Sequence, residues 1–285
     1  MFHRGLIAAS FGLLGCFDPE LSDGAIACGE AGCPPGMSCG DDGLCHDGTG
    51  PGPGGGDSEV ALALADGDGA SHILGYCGGE LVDRWDLDDF WNAQSVSWGD
   101  IDGDGVPELA IGSGNDQLRV LRFDGGWPDT FWGATHVRAA AGTAWGDVDG
   151  DGDLDLAVTE PGDPVTVYAN TDGGDYLEPR WSSASPSAAI SVAWGDFNGD
   201  GQPDLATGGP WEPVTVYRNF GGDLQPIWSG AADDIRQVAW ADADGDGWLD
   251  LAVAASGAPL RLYRGDGSSF AEAWISEAAE DVSAI

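Results

Sequence analysis

Lysine does not occur in this chain. Its ten cationic residues are all arginine, set against 49 aspartates and glutamates, for a formal charge of −39. Such an excess of carboxylates repels nucleic acid phosphates and anionic headgroups, which excludes nucleic acid as a partner and leaves cations as the natural ones. No segment carries a helical period of apolar residues, so the fold is not built on helices. Histidine is sparse, at His3, His46, His72 and His136, and no His-Glu-x-x-His, Gly-x-Ser-x-Gly or P-loop pattern occurs. Little of what an active site needs is present, and no enzymatic activity is expected. Carboxylate pairs of the kind a carbohydrate-active enzyme uses are abundant, but most fall in one recurring loop.

That loop is written four times. Its fullest copy is Asp147-Val148-Asp149-Gly150-Asp151-Gly152-Asp153-Leu154-Asp155, and the others run from Asp100 to Glu108, Asp196 to Asp204 and Asp242 to Asp250. Positions 1, 3, 5 and 9 hold Asp100, Asp102, Asp104 and Glu108; Asp147, Asp149, Asp151 and Asp155; Asp196, Asn198, Asp200 and Asp204; and Asp242, Asp244, Asp246 and Asp250. Position 6 is glycine each time, and position 7 (Val106, Asp153, Gln202, Trp248) can add a backbone carbonyl. Hard oxygen donors converging where the backbone turns sharply suit Ca²⁺ rather than zinc or copper. The plain alternative is a solvated acidic turn, since Asp-Gly is a common turn dipeptide. Four copies in register favour calcium, and four ions would offset about eight of the negative charges. Asp66-Gly67-Asp68-Gly69 looks like a fifth copy, but Leu64 and His72 stand where positions 1 and 9 need oxygen, so it reads as a tight turn.

At the N-terminus a basic start precedes the apolar stretch Gly5 to Leu14, too short to span a bilayer as a mature helix. Residues 1–15 read as a signal peptide. Leu13-Leu14-Gly15-Cys16 resembles a bacterial lipobox, making Cys16 the lipidated first residue of the mature chain; the alternative is an ordinary secretion signal. The expected location is the outer membrane or cell surface, otherwise secreted or periplasmic, with membrane contact only through the lipid. Cys28, Cys33, Cys39 and Cys45 follow in a Gly-, Pro- and Asp-rich stretch that cannot build a core, and two disulfides are the expected staple. Three pairings are open. A Cys₄ zinc site lacks its paired knuckles. With the Gly/Pro linker from 47 to 57, residues 16–57 form a stalk and 58–285 the main domain.

The loops start at 100, 147, 196 and 242, in steps of 47, 49 and 46 residues. Each unit has a short strand ending in Trp, the loop, a buried strand such as Asp155 to Thr159, an alternating strand such as Val165 to Tyr168, and a last strand with its own Trp. Four short strands per unit describe a β-propeller blade. The recurring Trp-Gly-Asp-x-Asp-Gly-Asp-Gly-x-x-Asp-Leu-Ala, followed by Val-Thr-Val-Tyr, resembles the FG-GAP or VCBS repeats over residues 58–285. That resemblance implies blades like those of integrin α-chains, calcium in the acidic loop, and an extracellular, often adhesive protein. Glu108 and Asn198 depart from the family's aspartates, yet both still present oxygen.

Trp85 lies 13 residues before Trp98, as Trp132 does before Trp145, so the domain begins with a blade that lacks its first strand. The segment from Trp274 to Ile285 supplies a first strand only. Joining the two predicts five blades closed by pairing of the N- and C-terminal segments, which removes two sheet edges. Nine of the thirteen tryptophans recur and read as core, whereas Trp91, Trp127, Trp211 and Trp248 do not. These four are candidate contacts to an extracellular protein or glycan, although scattered exposed aromatics are normal. The competing role is a calcium-rigidified spacer without a ligand.

Overall fold

A computed structural model describes residues 8–13, 26–27, 38–39, 44–46, 60–65, 71–77, 80–87, 92–114, 117–123, 128–134, 136–137, 139–171, 174, 176–277 and 280–281. Cys16, Cys28, Cys33, Trp91, Trp127 and the turn at 66–69 lie outside the described residues. The chain is all-β. After β1 (Ala8–Leu13), a small sheet is formed by β2 (Ile26–Ala27), β3 (Ser38–Cys39) and β4 (Leu44–His46), in the order β2-β4-β3, with Cys39 opposite Cys45. Next come β5 (Val60–Ala65), β6 (Ser71–Cys77) and β7 (Glu80–Leu87), which with β1 make the first four-stranded sheet, β1-β5-β6-β7. The second sheet holds β8 (Ala93–Gly99), β9 (Glu108–Ser113), β10 (Leu118–Arg122) and β11 (Asp129–Ala134). The third holds β12 (Gly142–Gly146), β13 (Asp155–Thr159), β14 (Thr166–Thr171) and β15 (Tyr176–Ser182). The fourth holds β16 (Ser191–Gly195), β17 (Asp204–Gly208), β18 (Thr215–Asn219) and β19 (Leu224–Ser229). The fifth holds β20 (Ile235–Ala241), β21 (Asp250–Ala258), β22 (Arg261–Gly265) and β23 (Phe270–Ile275), with β24 (Glu280–Asp281) added on β21.

These sheets are antiparallel meanders in one repeated register. Trp98, Trp145, Trp194 and Trp240 stand opposite Leu109, Leu156, Leu205 and Leu251. Each outer strand pair slips by a bulge at the same place, between Val167 and Tyr168 in the third sheet and between Ile73 and Leu74 in the first. The shared bulge identifies the first sheet as a copy of the others. The second strands β9, β13 and β17 are buried along their whole length, so they read as continuous rather than alternating apolar runs. Their leucines each contribute about 1.5–3 kcal/mol of burial. The last strands β15 and β19 are largely exposed, and Pro179 and Pro226 sit at their bulges, where an edge strand tolerates a missing donor.

Core clusters join consecutive sheets from the first to the fifth, and among the described residues none spans the fifth and the first. The expected pairing of the two chain ends needs correction. The free edge of β5 is occupied by β1, from within the expected leader, while the C-terminal β24 pairs with Ser256 and Ala258 of β21. The cause is the same edge pressure that motivated the expectation: an unpaired β5 is covered by whichever strand reaches it.

The Trp-Gly-Asp motif is the joint between sheets. The indole of Trp145 donates to Ser97 O (3.0 Å), Trp194 to Ala144 O (3.0 Å) and Trp240 to Ala193 O (3.1 Å), each on the first strand of the preceding sheet. A Cβ on Gly99, Gly146 or Gly195 would lie 2.7 Å from the incoming indole, so glycine is needed for that close approach.

Candidate metal centre

Each acidic loop links the first and second strands of its sheet. Its glycines at positions 4 and 6 have positive φ, 78° at Gly150 and 100° at Gly152, and all but Gly199, which lies under Trp248, would meet nothing with a Cβ, so backbone conformation is the reason for them. That path folds amide groups onto the first aspartate. Asp147 accepts from Gly150 N (2.7 Å), Asp151 N (3.1 Å) and Gly152 N (3.0 Å), and Asp242 repeats the set with Gly245, Asp246 and Gly247. Asp196 accepts from Asp200 N and Gly201 N, and Asp100 from Gly105 N. At position 7 the amides of Val106, Asp153, Gln202 and Trp248 donate to the carboxylate at position 5. The carboxylates are therefore pre-arranged by their own loop.

Position 9 forms a buried floor. Asp155 Oδ2 accepts from Val148 N (2.7 Å) and Oδ1 from Asn170 N (2.8 Å); Asp204 does the same with Phe197 N (3.2 Å) and Asn219 N (2.8 Å). Asp250 takes Ala243 N and Gly265 N, and Glu108 takes Ile101 N (3.0 Å) and Arg122 Nε (3.4 Å). All four are at most 1% exposed. A carboxylate has about four lone-pair sites, so two such bonds leave room for a cation. Desolvation pushes Glu108 and Asp204 up to about 7 and Asp155 up to about 6, against the opposing pull of their backbone hydrogen bonds. A bound divalent ion would favour the charged form at these positions.

Among the described residues, three groups bring carboxylate oxygens within 4.8 Å of one another: Asp100, Asp102 and Glu108; Asp147, Asp149 and Asp155; and Asp242, Asp244 and Asp246. In the first, Asp100 Oδ1 is buried and has no hydrogen-bond partner, an orphan acceptor that a hard cation satisfies. The donor set fits Ca²⁺. In the third loop Asn198 Nδ2 donates to Asp204 Oδ2 (3.1 Å), while its Oδ1 accepts from Asp200 N (3.0 Å) as the position-3 aspartates of the other loops do. Asp104, Asp151 and Asp200, predicted at position 5, stand outside the close groups, and Asp104 and Asp151 serve their loop's amides.

The sequence reading missed the arginines. Arg122 reaches Asp102 (2.9 Å), Arg180 reaches Asp149 (3.1 Å), Arg218 reaches Asp200 (3.1 Å) and Arg264 reaches both Asp244 (2.8 Å) and Asp246 (2.7 Å). Arg122, Arg218 and Arg264 occupy one register position, directly after the residue opposite the buried leucine, and that periodic placement is the signal that could have found them. The Arg264 hydrogen bond holds Asp246 below the usual carboxylate range. Asn170 and Asn219 were also missed. They are buried and donate to Ile101 O (2.8 Å) and Val148 O (2.7 Å), tying a turn of one sheet to position 2 of the preceding loop. Of the other predicted contacts, Trp248 is 38% exposed and lies against Gly199 and Gly267, while Trp211 is 76% exposed.

The FG-GAP-like repeat pattern matches residues 102–158, 147–207 and 201–253. No curated protein matches the chain. Among solved structures, the chain is similar to the V. cholerae biofilm matrix protein Bap1, at 19% identity and a TM-score of 0.50 over 79% of this chain and 37% of that one. It is also similar to Saccharomyces cerevisiae Sqt1, at 12% identity and a TM-score of 0.55 over 76% of this chain and 60% of that one. Both likenesses are of fold. The chain spans about a third of the first protein and three fifths of the second.

Proposed function

The chain belongs to the FG-GAP-like repeat family, and from that premise we propose that it is an exported calcium-binding module that recognises an extracellular protein or glycan. Its five four-stranded sheets are then the blades of a β-propeller, and about four Ca²⁺ ions sit in the loops at 100–108, 147–155, 196–204 and 242–250. The observation that carries this reading is the buried, unpartnered Asp100 Oδ1 beside Asp102 and Glu108. The ion's role is structural, because position 2 of each inner loop is also a core residue of the next sheet.

The likeness to a biofilm matrix protein supports an extracellular setting. Cys16 anchors the chain by lipid at the outer membrane or cell surface, and the disulfides among Cys28, Cys33, Cys39 and Cys45 staple the stalk. Removal of the leader at residues 1–15 takes β1 away and leaves β5 as an edge. The module acts by binding rather than catalysis.

The test is native mass spectrometry and a thermal melt of the exported chain, with calcium and after chelation. Four ions and a melt lowered on chelation are expected. A protein that binds no Ca²⁺ at millimolar concentration overturns the reading.

A further inference from the structure

The floor carboxylates at position 9 differ in what stands beside them. Two residues past the one opposite each buried leucine, the chain places Phe123 in the second sheet, Asn170 in the third, Asn219 in the fourth and Gly265 in the fifth. The third, fourth and fifth sheets each follow a sheet with an acidic loop, and two of them put asparagine here. Both asparagines are buried, Asn170 at 4% exposure and Asn219 at 0%. A buried amide needs partners for its donors and its acceptor, and those partners lie in two different sheets.

Asn170 N donates to Asp155 Oδ1 (2.8 Å), the floor of the second loop, while its Nδ2 donates to Ile101 O (2.8 Å), position 2 of the first loop. Asn219 N donates to Asp204 Oδ1 (2.8 Å), the floor of the third loop, and its Nδ2 to Val148 O (2.7 Å), position 2 of the second. The amide oxygens accept from Gly174 N and Gly222 N, both at 2.8 Å, which sets the direction each amide faces. Position 2 carries the connection onward, because its own amide rests on its loop's floor. Ile101 N donates to Glu108 Oε2 (3.0 Å), Val148 N to Asp155 Oδ2 (2.7 Å) and Phe197 N to Asp204 Oδ2 (3.2 Å). One run of hydrogen bonds therefore leads from Glu108 through Ile101 and Asn170 to Asp155, and on through Val148 and Asn219 to Asp204.

The run stops at the fifth sheet. Gly265 N keeps the bond to the floor, Asp250 Oδ1 (2.9 Å), but glycine has no amide to send to Phe197 O. A Cβ at Gly265 would lie 2.2 Å from Leu249 O, so the place of the asparagine side chain is taken. The other bond to Asp250, from Ala243 N, also comes from its own sheet. The third loop meets the fifth sheet through the Trp248 indole against Gly199 and through Phe197 stacked on Trp240. Such apolar contacts hold the sheets together without fixing the direction of a carboxylate.

We propose that Asn170 and Asn219 are positioning residues that couple the first three ion sites, so that those loops fill with Ca²⁺ together while the fourth fills alone. An ion that holds Asp155 in place also holds Asn170 against it, and with Asn170 the Ile101 carbonyl, which lies between ligand positions 1 and 3 of the first loop. The next ion then meets a loop that is already ordered, and the entropy cost of its binding is smaller. The same holds in the other direction, since coupling between two binding sites is reciprocal. The inference rests on the calcium reading of the loops and assigns how those sites act on one another.

Native mass spectrometry of the full exported chain during a calcium titration counts the ions on each molecule. Three coupled sites and one separate site give molecules with no ion, one, three or four, so two-ion molecules should stay scarce throughout. Asn170→Gly and Asn219→Gly each install the residue that the fifth sheet uses at this position. In either variant two-ion molecules should become abundant and affinity at the separated loop should fall about fivefold or more, with four ions still bound at saturation. Abundant two-ion molecules in the unaltered chain overturn the proposal, and that measurement decides alone where a variant does not fold. A lowered melting temperature with two-ion molecules still scarce also overturns it, since that is what a merely structural asparagine gives. Four ions that fill independently sink only the coupling, whereas no ions at millimolar calcium sink the broader reading.

Discussion

The first three acidic loops and the fourth share one nine-residue pattern, yet they are embedded differently. Position 2 of the first three is Ile101, Val148 or Phe197, each 1% exposed and packed in the core cluster of the following sheet. In the fourth it is Ala243, and every residue from Asp242 to Trp248 is exposed. The residue after the joint tryptophan shows the same change, from Gly99, Gly146 and Gly195, under the next sheet's indole, to Ala241. The difference separates two messages in one motif: the odd positions and glycines shape the acidic loop, whereas position 2 and the Trp-Gly pair specify the next sheet. On the proposed calcium reading an inner loop is both ion site and joint, so ion binding there would stabilise the contact between sheets.

The widest gap is expected at position 2. Phe197 stacks on Trp240 at 6.3 Å and tilts against Phe270 at 5.1 Å, so Phe197→Ala should cost about 3–5 kcal/mol. Ala243→Ser, at the exposed equivalent, should stay within about 0.5 kcal/mol. Urea unfolding of both variants tests this, and comparable losses would erase the distinction between inner and outer loops. A smaller contrast is expected one step earlier. Gly146→Ala places a Cβ 2.7 Å from the Trp194 indole and should cost about 1–3 kcal/mol, as overpacking does. Ala241→Gly removes no joint and should change stability by less than about 1 kcal/mol. If Gly146→Ala is neutral, the indole is not held where the joint requires it.

Acidity should distinguish the ion-free protein from the loaded one. Glu108, Asp155 and Asp204 are raised by burial to about 7, 6 and 7, from ordinary values of 4.5, 3.8 and 3.8. Between pH 4 and 7 the folded protein therefore keeps protons that the unfolded chain has released. Their contribution to stability is present below pH 4 and is lost as pH rises through 6 to 7. Chelated protein should melt at progressively lower temperature from pH 5 to 7.5, and saturating calcium should flatten the trend. A chelated melt that rises over that interval contradicts the buried-floor account.

Much of the repeated architecture is legible in the sequence because each element leaves a periodic trace. The Trp-to-Trp spacing locates the first sheet before any complete loop, and the shared bulge at Ile73 agrees with it. The terminal pairing was not legible. Which strand covers β5 depends on what can reach an edge, and both Ala8–Leu13 and the C-terminal segment carry enough β-propensity to do so. The loop arginines were obscured for another reason: in the third sheet the register position holds Ala169, and the cation comes from Arg180 on a different strand. Trp211 could be read only as non-recurring, since its positive φ is a property of the folded loop.

The smallest effect concerns those arginines. Arg264 reaches two carboxylates of the fourth loop, whereas Arg180 touches only Asp149 of the second. A guanidinium between two carboxylates must be displaced before an ion can take their oxygens, so it would compete with calcium. Because these pairs are at the surface, the competition is modest and screened by salt. Arg264→Gln should raise calcium affinity at the fourth loop a few-fold, and Arg180→Gln should raise it less at the second, both measured by chelator competition at low ionic strength. Lower affinity in Arg264→Gln would show that the arginine organises the cage instead of competing for it. The fourth loop would then depend on β22 for its shape as the inner loops depend on the following sheet.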